Sequence, residues 1–172
     1  NHPAIHAANR VYLIEETLFF NKYNFHRQKL VLHRASMKLY ADYLTDKKIK
    51  VEYIDAVSEL SDVRCLIEHL RQQKVTTIHF ADVADNWLKK RIVFACKKNK
   101  INLSEYNTPN FLNTPPDVKD YFDKKKTYFQ TGFYTEQRKK RNILLNASGG
   151  PEGGQWTYDA DNRKKYPAKQ KP

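Results

Sequence analysis

The chain has 172 residues, with 31 Lys plus Arg against 19 Asp plus Glu and a formal charge of +12. That length fits one domain with a substantial core, with room for an extension. No apolar run approaches the roughly 20 residues of a membrane span, so a membrane protein is excluded and a soluble, cytoplasmic one is expected. A cation surplus of this size raises the expectation of a polyanionic partner such as nucleic acid.

The opening, Asn1-His-Pro-Ala-Ile-His6, has no basic stretch followed by an apolar one, so no secretory leader is expected. It also lacks an initiator Met, as a piece of a longer polypeptide would. Cys65 and Cys96 have no metal-ligand spacing and fall in predicted helices. They read as two reduced, buried thiols.

Val11-Tyr-Leu-Ile14 reads as a buried strand ending in Glu15-Glu16, followed by an aromatic connection with Phe19, Phe20, Tyr23 and Phe25. The longest helical run follows, from about His26 to Asp46. Leu30, His33, Met37, Tyr40 and Leu44 recur in it at three- and four-residue steps, along one face. Val51–Ile54 is the second strand, closed by Asp55. Ser61-Asp62 caps a second helix whose stripe is Val63, Leu66, Ile67 and Leu70. Val75–Phe80, β-branched and aromatic, is a third strand. Asp82–Asp85 forms the turn into a third helix carrying Trp87, Leu88, Ile92, Phe94 and Ala95. Ile101–Leu103 is a short fourth strand. Strand and helix alternate at the spacing of an open parallel sheet with right-handed crossovers, an α/β fold of Rossmann-like type.

After Tyr106 the rhythm stops. A Pro-rich loop leads to a short helix, Val118–Lys124, and a longer basic helix spans Tyr128–Leu145, forming a helical and irregular C-terminal extension. The domain is placed at 1–145. Residues 146–172, opening with Asn146-Ala-Ser-Gly-Gly-Pro-Glu-Gly-Gly154, read as a glycine-rich linker and tail. The charge surplus is concentrated late, in Lys124–Lys126, Arg138–Arg141 and Arg163–Lys165. This leaves open a free-standing basic nucleic-acid-binding module. His26 and His33 lack the spacing of a zinc pair, the glycines lack the Lys-Ser or Lys-Thr of a phosphate loop, and no nucleophile set is recognisable. No catalytic residue and no metal ligand are assigned.

Two stretches resemble a known family. Phe25-His-Arg-Gln-Lys-Leu-Val-Leu-His-Arg-Ala-Ser-Met-Lys-Leu-Tyr40 resembles the signature helix of deoxyribodipyrimidine photolyase-related proteins, the iron–sulfur bacterial branch of the photolyase/cryptochrome family. Gly153-Gly-Gln-Trp-Thr-Tyr-Asp-Ala-Asp-Asn-Arg-Lys-Lys-Tyr-Pro167 is similar to the segment that closes that family's N-terminal domain. The resemblance implies a photolyase-type antenna domain that is not catalytic by itself and works beside its own C-terminal helical domain, absent from this chain. That helical domain would hold FAD and an iron–sulfur cluster and act on UV-damaged DNA in light. It also implies one more strand ahead of Asn1, in mid-sheet. A lumazine-type antenna chromophore is expected near the strand ends. Phe19, Phe20 and Tyr23 would stack on its ring, Glu15 and Lys29 would hydrogen-bond its polar edge, and His26 would lie alongside. The segment from Trp156 to Arg163 would dock the helical domain, with the tryptophan as anchor.

Overall fold

The computed structural model describes residues 2–7, 9–159 and 163, so most of the Lys-rich end lies outside the described residues. Two compact units divide between Leu112 and Asn113. The first carries the expected alternation: β1 (Val11–Ile14), α1 (Thr17–Phe20), α2 (Arg27–Asp46), β2 (Val51–Ile54), α3 (Val63–Gln72), β3 (Thr77–Ala81), α4 (Asn86–Lys98) and β4 (Asn102–Tyr106). A four-residue helix, α1, stands where only an aromatic connection was expected. It forms because the Glu16 side chain accepts from Leu18 N and caps it. Asp62 and Asp85 cap α3 and α4 in the same way.

All strand pairing is parallel, yet the four strands do not make one sheet. β1 pairs with β2 and β3 with β4, as two separate two-stranded sheets. The single open sheet read from the alternation is therefore corrected to two pairs. Between them lies a groove of about 730 Å³ lined by Val11–Ile14 of β1, by Thr77–Phe80 of β3 and by Thr76 just before it. Val63, Leu66, Ile67 and Leu70 of α3, which line it too, pack beneath both pairs. One cluster joins Leu66 and Leu70 to Ile54, Tyr12 and Ile14; another joins Val63 and Ile67 to Ile92, Ala95, Cys96 and Ile101. Cys96 is fully buried, and burial pushes its thiol up to about 11. Cys65 is exposed, which corrects its reading as a buried thiol. Its Cβ points off the stripe that Leu66, Ile67 and Leu70 occupy.

In α2 the expected face is the inward one. Leu44 is 1% exposed, and Leu30, His33, Met37 and Tyr40 are half-buried. The opposite side keeps Leu32 and Leu39 in solvent. Polar and aromatic contacts do much of the holding: His33 stacks on Phe20 with centroids 4.9 Å apart, and Lys38 sits 3.7 Å over the Tyr53 ring.

The three crossover helices α2, α3 and α4 end identically. Leu44, Leu70 and Cys96 each accept at their carbonyl from the N–H five residues on, Ile49 at 3.1 Å and Val75 and Ile101 at 3.0 Å. The residue just before that donor is Lys48, Lys74 or Lys100, held left-handed at φ 62°, 64° and 54°. This is a Schellman ending with a β-branched residue closing it, but with lysine where glycine is the usual occupant. The evenly spaced repeat was in the sequence and was missed because lysine hides the turn.

The second unit contains α5 (Pro115–Phe122) and α6 (Gln130–Arg141). α6 falls within the expected Tyr128–Leu145, whereas α5 overlaps the expected Val118–Lys124 but starts earlier, at Pro115. Thr114 and Asp117 form a reciprocal capping box at the start of α5. Through residue 159 the glycine-rich stretch carries turns and backbone bonds of its own. Leu145 bridges Pro151, and Arg138, 5% exposed, donates to the carbonyls of Ile143 (3.3 Å), Leu144 (2.5 Å) and Trp156 (3.0 Å). Leu144 is held left-handed at φ 50°, a conformation a branched side chain rarely adopts. Its carbonyl receives both Arg138 and Glu152 N.

Replacing Lys74 by Gly should raise the stability of the chain by roughly 0.5–1 kcal/mol in chemical denaturation, because it removes a left-handed Cβ. Lys74→Val should lower it.

Candidate functional site

The carboxyl ends of β1 and β2 bring together residues far apart in sequence. Glu15 follows β1 and is completely buried. Four donors converge on its carboxylate: Arg34 Nε (2.6 Å) and Nη2 (2.5 Å) from α2, Tyr53 Oη (2.5 Å) from β2, and the Ala56 amide (2.9 Å). Burial alone would raise its pKa, but these bonds, led by Arg34, outweigh it and hold the carboxyl at about 2. Tyr53 is pushed up by burial and by its bond to that carboxylate. Arg34 is raised above its ordinary value by Glu15, and also reaches Asp55 at 3.4 Å.

Beside this cluster is a hollow of about 210 Å³ lined by Phe20, Asn21, Leu30, Arg34, Ala56 and Val57, with Val31 at its rim. Phe20 is buried against His33, with the Arg34 guanidinium 6.0 Å from its ring centre. Asn21 Nδ2 donates to the Ala56 carbonyl at 2.6 Å and closes the far wall.

The six residues singled out in the sequence separate into an inner and an outer set. Glu15 and Phe20 lie inside, and Phe19 is half-buried. Tyr23, His26 and Lys29 stand outside at the start of α2. There Tyr23 meets Phe25 edge-on, Lys29 Nζ lies 5.1 Å over Phe25, and His26 Nδ1 caps the helix by accepting from Gln28 N. The acceptor positions of Glu15 are committed to the protein itself. The sequence reading missed Arg34, Tyr53 and Asn21 as parts of the site. The only signal was Arg34, a cation one turn beyond Leu30 near an otherwise inward face; its partner lies nineteen positions back.

Two further groups occupy strand ends. Lys89 Nζ bridges Asp82 (2.8 Å) and Glu105 (2.7 Å). Glu16, 5% exposed, lies 3.5 Å from Arg91 Nη1, and burial raises its pKa. In the second unit the basic run is largely spent internally. Arg138 holds the loop, Lys139 lies 4.8 Å over the Trp156 ring, and Lys140 (2.7 Å) and Arg141 (3.8 Å) pair with Asp117. Trp156 is thus already faced by two cations. Among the described residues no group of three or more His, Cys, Asp or Glu is arranged to hold a metal ion, and no helix is long and apolar enough to cross a membrane.

Arg34→Ala leaves Glu15 buried with fewer donors and should cost about 2 kcal/mol, less than for a fully enclosed pair because Arg34 is about half exposed. The sign with pH follows from the depressed carboxyl. Its contribution is full above about 4.5, the ordinary value, and is lost as pH falls towards about 2. Acid titration of unfolding should therefore show less loss between those values in Arg34→Ala than in the parent.

Comparison with known proteins agrees with the signature helix. The chain is 34% identical over 166 residues to an uncharacterized protein of Acanthamoeba polyphaga mimivirus, the match covering 91% of this chain and 83% of the viral one. A family model described as deoxyribodipyrimidine photo-lyase-related protein matches residues 1–172. The chain belongs to the deoxyribodipyrimidine photo-lyase-related protein family.

Proposed function

We propose that this chain is the antenna-type α/β part of a photolyase-related flavoprotein that repairs UV-damaged DNA in light, with no catalysis of its own. The observation that carries this reading is the hollow at the carboxyl ends of β1 and β2, the place where open α/β folds bind ligands, in a chain of photolyase-related descent. FAD and the iron–sulfur cluster belong, in this reading, to a helical domain outside this chain, which also meets the DNA.

The residues fit a lumazine-type chromophore in part. At about 210 Å³ the hollow is smaller than the roughly 300 Å³ at which ligand pockets begin, so it seats one edge of a flat bicyclic ring. Arg34, fixed by Glu15, presents donors to a carbonyl edge, and Leu30, Val31 and Val57 give apolar contact. Phe19 and Tyr23 supply stacking at the mouth, while His26 and Lys29 lie at the start of α2 with polar groups for the ring's outer substituents. Glu15 acts by aiming Arg34.

The free-standing nucleic-acid module is the weaker reading, because Arg138, Lys140 and Arg141 are engaged within the unit. Lys124–Lys126 remain for it. Binding of duplex DNA by this chain should therefore be weak at physiological salt, and tight, steeply salt-dependent binding would favour the module.

Pigment bound by the full-length protein tests the antenna reading. Val57 is 92% exposed at the hollow's rim, so Val57→Trp should fill the space without disturbing the core. Absorbance and mass spectrometry of the purified protein should show an antenna pigment reduced at least ~10-fold in Val57→Trp and in Tyr23→Ala, the scale of one lost ring contact. Leu39→Ala, on the outer face of α2, should leave it unchanged. Equal pigment in all three would reject the site.

A further inference from the structure

Helix α4 buries one side and leaves a mixed cationic and aromatic side in solvent. Ile92, Ala95 and Cys96 are buried, with Leu88 packed against them. At 3.6 residues per turn, Trp87, Lys90, Phe94, Lys97 and Lys98 fall on the other side. Trp87 is 59% exposed and Phe94 68%, and the three lysines are exposed as well. The two aromatic residues stand two helical turns apart, with Cα atoms about 10.5 Å from one another. Lys90 lies between them, and Lys97 and Lys98 continue the row past Phe94.

The charges of this face are unspent. α4 contains no acidic residue. Its other cations are engaged: Lys89 bridges Asp82 and Glu105, and Arg91 faces Glu16 and Asp62. Among the described residues no ion pair, hydrogen bond or ring contact takes up the ammonium groups of Lys90, Lys97 and Lys98. Cations without local anions call for an anionic partner, and the order of the residues narrows its kind. A membrane would draw the two rings into its apolar layer, and Lys90, set between them, would have to follow. A second copy of the face would bring lysine against lysine. A duplex supplies phosphates but keeps its bases stacked inside, where neither ring reaches them. An unpaired polynucleotide strand offers both, phosphates for the lysines and open base faces for the rings.

We propose that the outer face of α4 binds an unpaired polynucleotide strand, laid along the helix, without reading its sequence. Trp87 and Phe94 each stack on a base, and Lys90, Lys97 and Lys98 hold the phosphates around them. Stacking accepts any base, and ammonium groups grip phosphates as point charges. The face therefore selects the form of the strand, single over double, and requires no lesion in it. It uses no residue of the hollow beside Phe20 and none of the basic run of the second unit. The inference does not depend on the pigment reading, and its test uses no pigment.

A fluorescently labelled oligothymidylate of about 12 nucleotides, alone and as its duplex with oligoadenylate, is titrated with residues 1–172 and followed by anisotropy. The single strand should bind at least ~10-fold more tightly than the duplex at the same salt. Trp87→Ala and Phe94→Ala should each weaken single-strand binding at least ~5-fold without changing its salt dependence, and Trp87→Phe should restore most of it. Lys90→Gln should lower the slope of log affinity against log salt by about 0.7, the share of one phosphate contact. All these positions are exposed, so the thermal midpoint should stay near that of the parent. Oligouridylate in the same titration tells RNA from DNA as the source, and the variants should weaken the preferred strand alike. Equal binding of duplex and single strand, or no loss in Trp87→Ala, would overturn the proposal. Loss on Lys124→Gln or Lys126→Gln instead of Lys90→Gln would overturn it in favour of the second unit. Anionic vesicles held by the parent and released by Trp87→Ala, with no oligonucleotide bound, would replace the strand by a lipid surface. Finally, the lesion-free single strand is titrated against the full-length protein. A Trp87→Ala loss confined to residues 1–172 would assign the face to the rest of the polypeptide and likewise overturn the proposal.

Discussion

A buried carboxylate with four donors is the constraint on which the rest of the first unit depends. Glu15 fixes the end of β1, and its partners come from α2, from β2 and from the turn after β2. One anion thereby sets the height of the organising helix against two strands. The helix needs such a pin, because its inward face is mixed: His33, Arg34 and Lys38 stand among Leu30, Met37 and Leu44, and Leu32 and Leu39 face outward. Apolar burial alone does not choose a single rotation for such a helix, whereas a two-pronged guanidinium–carboxylate contact does. The hollow beside Phe20 exists because this contact holds α2 at a fixed distance from the Ala56 turn.

Much of the fold was legible because its signals are local. Alternation, the β-branched runs and the caps at Asp62 and Asp85 lie within a few residues of what they specify, so strands and helices fall close to where they are read. Sheet connectivity is not local. Nothing in Val11–Ile14 or Thr77–Ala81 states that these strands leave a gap between them, and the alternation reads the same either way. The contacts around the glycine-rich stretch are non-local in the same way: Arg138, several residues earlier, donates to the carbonyls of Ile143, Leu144 and Trp156, which flank it.

Of the residues singled out in the sequence, Glu15, Phe19 and Phe20 stand together at the carboxyl end of β1 because they are close along the chain, whereas Tyr23, His26 and Lys29 stand apart at the start of α2. Arg34 and Tyr53 meet Glu15 only through the crossover, and each alone looks like an ordinary surface or strand residue. The basic run at 138–141 shows the reverse error: four adjacent cations look like one patch, yet helical geometry sends them to a loop, a ring and an aspartate.

The left-handed lysines also shape the charge of the first unit. Each crossover helix runs opposite to the strands, so Lys48, Lys74 and Lys100 stand along the amino edge of the sheets, with Lys47, Lys97 and Lys98 nearby. Glu15, Glu16, Asp55 and Asp82 stand at the other edge. The helix endings therefore do more than turn the chain; they separate charge along the strand axis. A unit polarised in this way is oriented by the field of a polyanion before any contact forms, lysine edge foremost, with the carboxyl-end hollow turned away.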